Sequence, residues 1–297
     1  MQGKKGRFKK TWLIGYLFIL PTFLAFFVFM GLPIIMGLII SFTDYNGFNQ
    51  FNFTGVTNYI DLFQDEYFLV SLKNNIIYTA GTVPFIIAIS LLLAVILNTK
   101  LKALDIFKTL IFFPTISSLV AVGVVWTILF DPVKGVINQA LGVFGLHTLP
   151  LWLQSTKTAL LSIMIVAVWK TVGYYMVMFL GGLKNIPRQL YEAAGIDGAG
   201  KVRQFFSITL PMLSPIIFMV TILTIISSFQ VYDLIAVMTA GGPGRATNVL
   251  VYRIYQEGFN YLRFGYASAM AYFLFALIMI VTLIQFQGQR KWVTYMD

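Results

Sequence analysis

A chain of 297 residues that is 58% hydrophobic and only 11% charged, with a mean hydropathy of +0.82, lies far from the roughly 25% charged residues of a soluble globular domain. It is an integral membrane protein with room for about six spanning helices of ~20 residues and little over for a separate soluble domain. The absence of cysteine excludes disulfides, iron–sulfur clusters and thiol nucleophiles, and the net charge of +10 has to be placed relative to the bilayer before it can argue for nucleic acid.

The basic run MQGKKGRFKK predicts a cytoplasmic tail over residues 1–12. It leads into an apolar stretch, Leu13–Ser41, whose nearly thirty residues exceed a perpendicular span and predict tilt or an interfacial start. Its length and its internal Pro21 and Pro33 favour a retained helix over a cleaved signal peptide. Five more apolar stretches follow: Ser71–Leu97, Thr109–Phe130, Thr158–Leu183, Pro211–Met238 and Phe264–Gln285. The segments between them, rich in Gly, Pro, Asn and charge, read as loops, and 288–297 as a second tail. The expectation is an all-α integral membrane protein with six transmembrane helices over residues 13–287.

Orientation follows from the basic residues near the spans. On the side of the N-terminal tail lie Lys4, Lys5, Arg7, Lys9, Lys10, Lys100, Lys102, Lys108, Lys184, Arg188, Lys201, Arg203, Arg290 and Lys291, fourteen of the 21. The opposite side has five, Lys134, Lys157, Arg245, Arg253 and Arg263, while Lys73 and Lys170 fall inside apolar stretches. Both termini are therefore expected in the cytoplasm. The positive charge is an orientation signal drawn to anionic lipid headgroups, and no nucleic-acid function is needed to explain it.

The cytoplasmic loop between the fourth and fifth spans contains GIDGAGKV, Gly195 to Val202, close to the phosphate-cradling pattern G-x-x-x-x-G-K-[ST]. A phosphate loop needs a preceding strand and a hydroxyl after the lysine to hold magnesium. Here the preceding PRQLYEAA reads as a helix, with Pro187 suited to its first turn and Leu190, Ala193 and Ala194 on a short apolar face. Val202 stands where the hydroxyl is required, so this loop is not an ATP site.

The same loop carries a different pattern. From Glu192 it reads E-A-A, three residues, Gly198, nine residues, Ile208, one residue, then Leu210-Pro211. This resembles, without a mismatch, the EAA loop of the membrane-spanning permease subunits of binding-protein-dependent ATP-binding-cassette (ABC) importers. LKNIPRQLYEAAGIDGAGKVRQFFSITLPML, VYDLIAVMTAGGPGRATNVLVYRIYQEGF, FKTLIFFP and FGYASAMAY are similar to the carbohydrate branch, the maltose-type and glycerol-phosphate-type permeases. The resemblance covers nearly the whole chain and implies a type I ABC importer permease fold in a bacterial or archaeal cytoplasmic membrane. It implies that 184–210 is a coupling loop docking in a cleft of the ATPase subunit, with Glu192, Ala193, Ala194 and Gly198 in that role and Gly195 and Asp197 beside them. Two short helices joined by Gly195, Gly198, Ala199 and Gly200 suit close packing in such a groove. A compact loop packed on the protein's own helices is the alternative.

A charge at mid-bilayer costs about 2.5 to 3.5 kcal/mol, while each Leu, Ile, Val or Phe returns only about 0.3 to 0.6, so polar residues inside spans mark candidate sites. Lys170 lies near the middle of the fourth span, with Trp169 before it and Tyr174 and Tyr175 after it. In the fifth, Thr224, Ser227 and Ser228 share one helical face, with Gln230 and Asp233 drifting round from it. Hydroxyls and amides beside aromatic rings suit a sugar. With Trp126 of the third span these residues are the candidate substrate path, and Tyr174 and Ser228 lie near positions that line the sugar site in maltose-type relatives. Two structural readings stand beside this: Ser and Thr as glue between helices, and Lys170 with Asp233 as an ion pair.

Among the loops on the other side, Gly241, Gly242 and Pro243 suit a sharp turn, and the resemblance places them near the docking site of a substrate-binding protein. The aromatic, Asn-rich segment from Phe42 to Tyr67 either packs under that protein or is a flexible solvated loop. His147 stands alone and makes no metal site. The implied partners are a second, similar permease as heterodimer, two ATPase subunits holding ATP and Mg, the extracytoplasmic binding protein and membrane lipid; no cofactor belongs to this chain. A phosphorylated polyol such as glycerol phosphate is the alternative solute. An ion-coupled secondary transporter would show inverted repeats and coupling carboxylates, and a membrane enzyme would need a catalytic cluster; neither pattern is visible.

Overall fold

The computed structural model describes residues 4–98, 104–145, 149–290 and 292–294. Lys100, Lys102, His147, Lys291 and the ends of both expected tails lie outside the described residues. Among the described residues the backbone is helical, apart from loops and one antiparallel bridge between Thr43 and Phe53.

Helix α1, Lys4–Phe26, begins inside the segment expected as a tail. Lys and Arg are good helix formers and no proline precedes Pro21, so nothing stops the span from extending backward. A wider π-type turn over Phe27–Gly31 joins it to α2, Leu32–Ile40. Pro33 lacks the N–H that would close the regular ladder, and the Leu32 N–H reaches back to the Phe27 carbonyl instead. None of Trp12–Ile40 is buried within the chain.

The short α3, Thr57–Leu62, is followed by α4, Glu66–Leu97, capped by Asp65, whose carboxylate accepts from the Tyr67 N–H at 2.8 Å. The third apolar stretch, Thr109–Phe130, departs from expectation. It is two half-helices, α5, Leu104–Ile116, and α6, Leu119–Leu129, bent by 101°. Pro114 removes a ladder donor, and Ser118 turns to an extended φ −59°, ψ 136°. After α7, Val136–Val143, comes the unbroken α8, Ala159–Asn185, the most buried of the candidate spans.

The fifth stretch, Pro211–Met238, is likewise broken. Helices α9, Arg188–Ile196, and α10, Lys201–Gln204, lead through a π-type turn over Phe205–Thr209 into α11, Leu210–Met212. The chain then bends by 65° into α12, Ser214–Phe229, stops at Gln230 and resumes as α13, Asp233–Met238. Gln230 and Asp233 therefore do not continue the face of Thr224, Ser227 and Ser228. A non-helical stretch at membrane depth persists only where it lines a cavity, and residues 230–232 do. Helices α14, Leu250–Tyr255, and α15, Phe264–Gln289, complete the chain. Among the described residues, four helices are long and apolar enough to cross a membrane, and up to six if each bent pair is one span.

The chain divides into two compact units. In the unit comprising 63–253 and 273–297, α8 is the spine. One buried apolar cluster centres on Ile163, Val166 and Ile235, another on Met176, Phe179 and Leu213. Small residues let the helices approach: a Cβ at Gly173 would overlap the Ile111 carbonyl oxygen, and one at Gly182 would sit 2.7 Å from Leu213 Cδ2. The Ser90 hydroxyl donates to the Val172 carbonyl at 3.0 Å. In the other unit, 1–62 and 254–272, the loop after α2 is closely tied. Asn58 donates to the Ser41 and Thr43 carbonyls at 2.9 and 2.8 Å, and Asn52 N–H groups hold the Asp44 carboxyl below the usual carboxylate range.

Candidate translocation site

A cavity of about 170 Å³ lies between α4, α8, α12 and α13, with Leu119 at the start of α6 in its wall. Seven of the nine residues proposed for the substrate path line it: Lys170, Tyr175, Thr224, Ser227, Ser228, Gln230 and Asp233. A larger apolar groove of about 670 Å³, bordered by Phe85, Leu110, Leu161 and Trp169, offers almost nothing to a polar solute.

The hydrogen bonds inside the cavity determine what it can offer. Thr171, Thr224 and Ser227 donate their hydroxyl protons to carbonyls of their own helices, at 2.7, 2.7 and 2.8 Å. Their oxygens remain as acceptors for hydroxyl donors. Ser228 is 3.3 Å from the Thr82 hydroxyl, and its carbonyl accepts from Asn75 at 3.3 Å. At the break after α12, the Gln230 and Asp233 side chains make no hydrogen bond or ion pair with any described residue. The site thus combines occupied hydroxyls with one uncommitted amide and one uncommitted carboxylate.

Lys170 is buried and is not paired with Asp233. Its Nζ donates to the Pro114 and Thr115 carbonyls at 3.3 and 3.1 Å. Tyr174 is outside the cavity, 46% exposed, with its ring edge-on to Tyr175 at 5.1 Å. Trp126 is also outside, packed between Trp169 and Phe130 at 5.3 and 5.1 Å.

Sequence reasoning missed the contribution of the second span. Tyr78 and Thr82 line the cavity, while Asn74 and Asn75 of the same helix tie it to the segment 245–250. The signal was present: Asn74, Asn75, Tyr78, Thr79 and Thr82 form a buried polar stripe at helical spacing within an apolar span. Tyr232 and Thr171 were missed as well.

The loop 184–210 is a helix–turn–helix with apolar residues exposed around its turn, while Ile186 is buried and Tyr191 and Ile208 pack on the apolar cluster of Met176, Phe179 and Leu213. Ile196 and Val202 are 88% and 73% exposed, and Glu192, Ala193, Gly195, Asp197 and Gly198 are all exposed, with Ala194 partly so. Gly198 has φ +76°, the left-handed conformation that ends α9 and that other residues reach only with strain. A single side-chain bond, Tyr191 to Thr209 at 2.9 Å, fastens α9 to the following segment. The expected apolar face of Leu190, Ala193 and Ala194 is not buried on the protein's own helices.

The turn at Gly241, Gly242 and Pro243 is compact. Gly241 and Gly244 have φ of +81° and +60°, and Thr247 donates to the Gly242 carbonyl at 2.8 Å. Arg245 pairs with Glu66 at 3.0 Å and lies 3.6 Å above the Tyr67 ring, which anchors the turn to the start of α4. Only the tip, around Gly244, is exposed.

Broken spans around a polar cavity, with an exposed helical loop carrying the EAA pattern, define the membrane-spanning subunit of a transporter. Residues 71–292 match the model of binding-protein-dependent transport system inner membrane components, and the chain belongs to that family. It is therefore a multi-pass inner-membrane permease subunit and not an enzyme. It is 38% identical over 297 residues (98% of this chain, 96% of the relative) to the probable ABC transporter permease protein YesP of Bacillus subtilis. It is 34% identical over 299 residues to the sn-glycerol-3-phosphate transport system permease protein UgpA of Yersinia pestis, covering 99% and 100% of the two chains. Among solved structures, a chain of a bacterial alginate ABC transporter in complex with an alginate pentasaccharide-bound periplasmic protein matches with a TM-score of 0.84 and 25% identity over 96% of both chains.

Proposed function

We propose that this subunit forms half of the path by which an ATP-driven importer takes up a neutral sugar or oligosaccharide delivered by an extracytoplasmic binding protein. The observation that carries the solute class is the cavity lining. It presents hydroxyl oxygens, an amide and a carboxylate beside tyrosine rings, while its one cation, Lys170, is committed to backbone carbonyls. A phosphorylated polyol, the solute named for the UgpA relatives, calls for basic donors along the path, and the uncommitted Asp233 would repel it.

The remaining parts follow from this reading. A second, similar permease completes the path, and two ATPase subunits, which hold the ATP and Mg, dock against the coupling loops. The exposed apolar residues of 184–210 support that docking, with Glu192, Ala193, Ala194, Gly195, Asp197 and Gly198 at the contact. Both termini lie in the cytoplasm, and the turn at Gly241, Gly242 and Pro243 faces the binding protein. ATP binding closes the ATPases, moves the coupling loops and turns the cavity outward.

The test is recovery of the tagged chain from its native membrane in mild detergent, with mass spectrometry of the companions and uptake by the recovered complex in liposomes. A second permease, an ATPase and ATP-dependent sugar uptake are expected. The chain alone, active without ATP, would replace this reading with a secondary transporter.

A further inference from the structure

A helix broken inside a bilayer leaves backbone carbonyls without their usual donors, and with no water present the protein itself has to supply them. In a continuous third span the carbonyls of Pro114 and Thr115 would accept from the N–H groups of residues 118 and 119. The 101° elbow between α5 and α6 removes that possibility: the Pro114 carbonyl takes the Ser117 N–H at 3.2 Å instead, and no backbone donor among the described residues reaches the Thr115 carbonyl. Both carbonyls accept from Lys170 Nζ on α8, at 3.3 and 3.1 Å. The bond is returned, because Thr115 Oγ1 donates to the Lys170 carbonyl at 3.1 Å. One turn along α8, Gly173 brings the two backbones into contact, so that a Cβ there would lie 2.8 Å from Phe112 Cα.

The charge suits this place. Helix α5 ends at Ile116, so Lys170 sits at the negative end of a half-helix dipole, where a cation is stabilised and screening by water is small. The carboxylate of Asp233, in the same cavity wall, does not supply the counter-charge; the carbonyls do. An ammonium held by two carbonyls has at most one proton left for a third partner.

We propose that Lys170 is a positioning residue of the elbow: its ammonium replaces the amide donor that the Thr115 carbonyl loses at the break and adds a second donor at Pro114, and the reciprocal clasp with Thr115 holds α6 so that Leu119 forms the cavity wall. It does not bind the transported solute. The effect on transport rests on the importer reading above, whereas the elbow can be measured without it.

The chain has no cysteine, so paired spin labels at I106C and I128C, exposed positions on the two half-helices, report the elbow in the assembled complex once its partner subunits carry no reactive cysteine. At 1.5 Å per residue, a 101° bend places the two sites roughly 20 Å apart and a straight helix roughly 30 Å. K170M is expected to lengthen and broaden that distance by several ångströms. It should also cut maximal sugar uptake about tenfold while changing the half-saturating concentration less than twofold, and K170R should recover at least half of the rate. T115V, which keeps the charge, should shift the distance in the same direction by less.

An unchanged distance in K170M, or a raised half-saturating concentration with the elbow intact, would overturn the proposal and return Lys170 to the solute. If K170M does not assemble, T115V decides, and unchanged distances there reject the clasp. A wild-type complex that takes up no sugar but shows the labelled elbow opening in K170M would refute the importer reading alone.

Discussion

At the scale of single residues, the polar groups that matter are those the protein leaves without a partner. Gln230 and Asp233 stand at a break in the fifth span and face the cavity uncommitted, unlike Thr224 and Ser227, whose protons are used within their helix. A neutral hydrogen bond is worth about 0.5 to 1.5 kcal/mol and one to a charged group about 1.5 to 3. Gln230→Ala should therefore raise the half-saturating concentration for uptake roughly 2- to 12-fold, and Asp233→Asn roughly 10- to 150-fold. Concentration-dependent uptake by the reconstituted complex measures both. Tyr174 is a different case, because its ring faces out of this chain. If a second permease completes the path, Tyr174→Ala impairs uptake with assembly intact; unchanged uptake would confine the solute to the cavity.

At the scale of elements, close approach and open exposure separate glycines with opposite roles. Gly173 touches the backbone of α5, so Gly173→Ala forces α5 and α8 apart. The cost should be about 1 to 3 kcal/mol, read as a lower thermal-unfolding midpoint in detergent. Gly198 has open space around its Cα but a positive φ, and proline cannot adopt that conformation. Gly198→Pro should unwind the end of α9, and Glu192→Ala should remove a charge from its exposed surface. Both should lower substrate-stimulated ATP hydrolysis and uptake together while the chain keeps its helical content. Normal hydrolysis and uptake in both variants would count against the coupling role. The EAA loop was readable as a helix–turn–helix because propensity and glycine placement are local. The elbow of the third span was not, since Pro114 and Ser118 permit a break without requiring one, and its support comes from Lys170, 55 and 56 residues away.

At the scale of the whole molecule, the proposed orientation rests on the asymmetry of Lys and Arg and is open to a direct test. With no native cysteine, single cysteines at Gly195 and Gly244, both exposed, should react with a membrane-impermeant maleimide from opposite sides of intact vesicles. Gly195 should react from the cytoplasmic face. Reaction from one side at both positions would refute the topology drawn from the Lys and Arg asymmetry.

The sequence by itself determined the membrane class, the six apolar stretches, the helix–turn–helix form of the EAA loop and seven of the polar residues that line the cavity. These depend on composition, on periodicity and on a pattern confined to one loop, all properties of neighbours along the chain. Only the tertiary structure decided that two of the stretches are broken, that Lys170 serves carbonyls and not Asp233, that Tyr174 faces away, and that Tyr78 and Thr82 join the site. Those outcomes depend on which helices meet. In a bilayer every backbone group needs a partner, and the partner of a broken span is found on another helix.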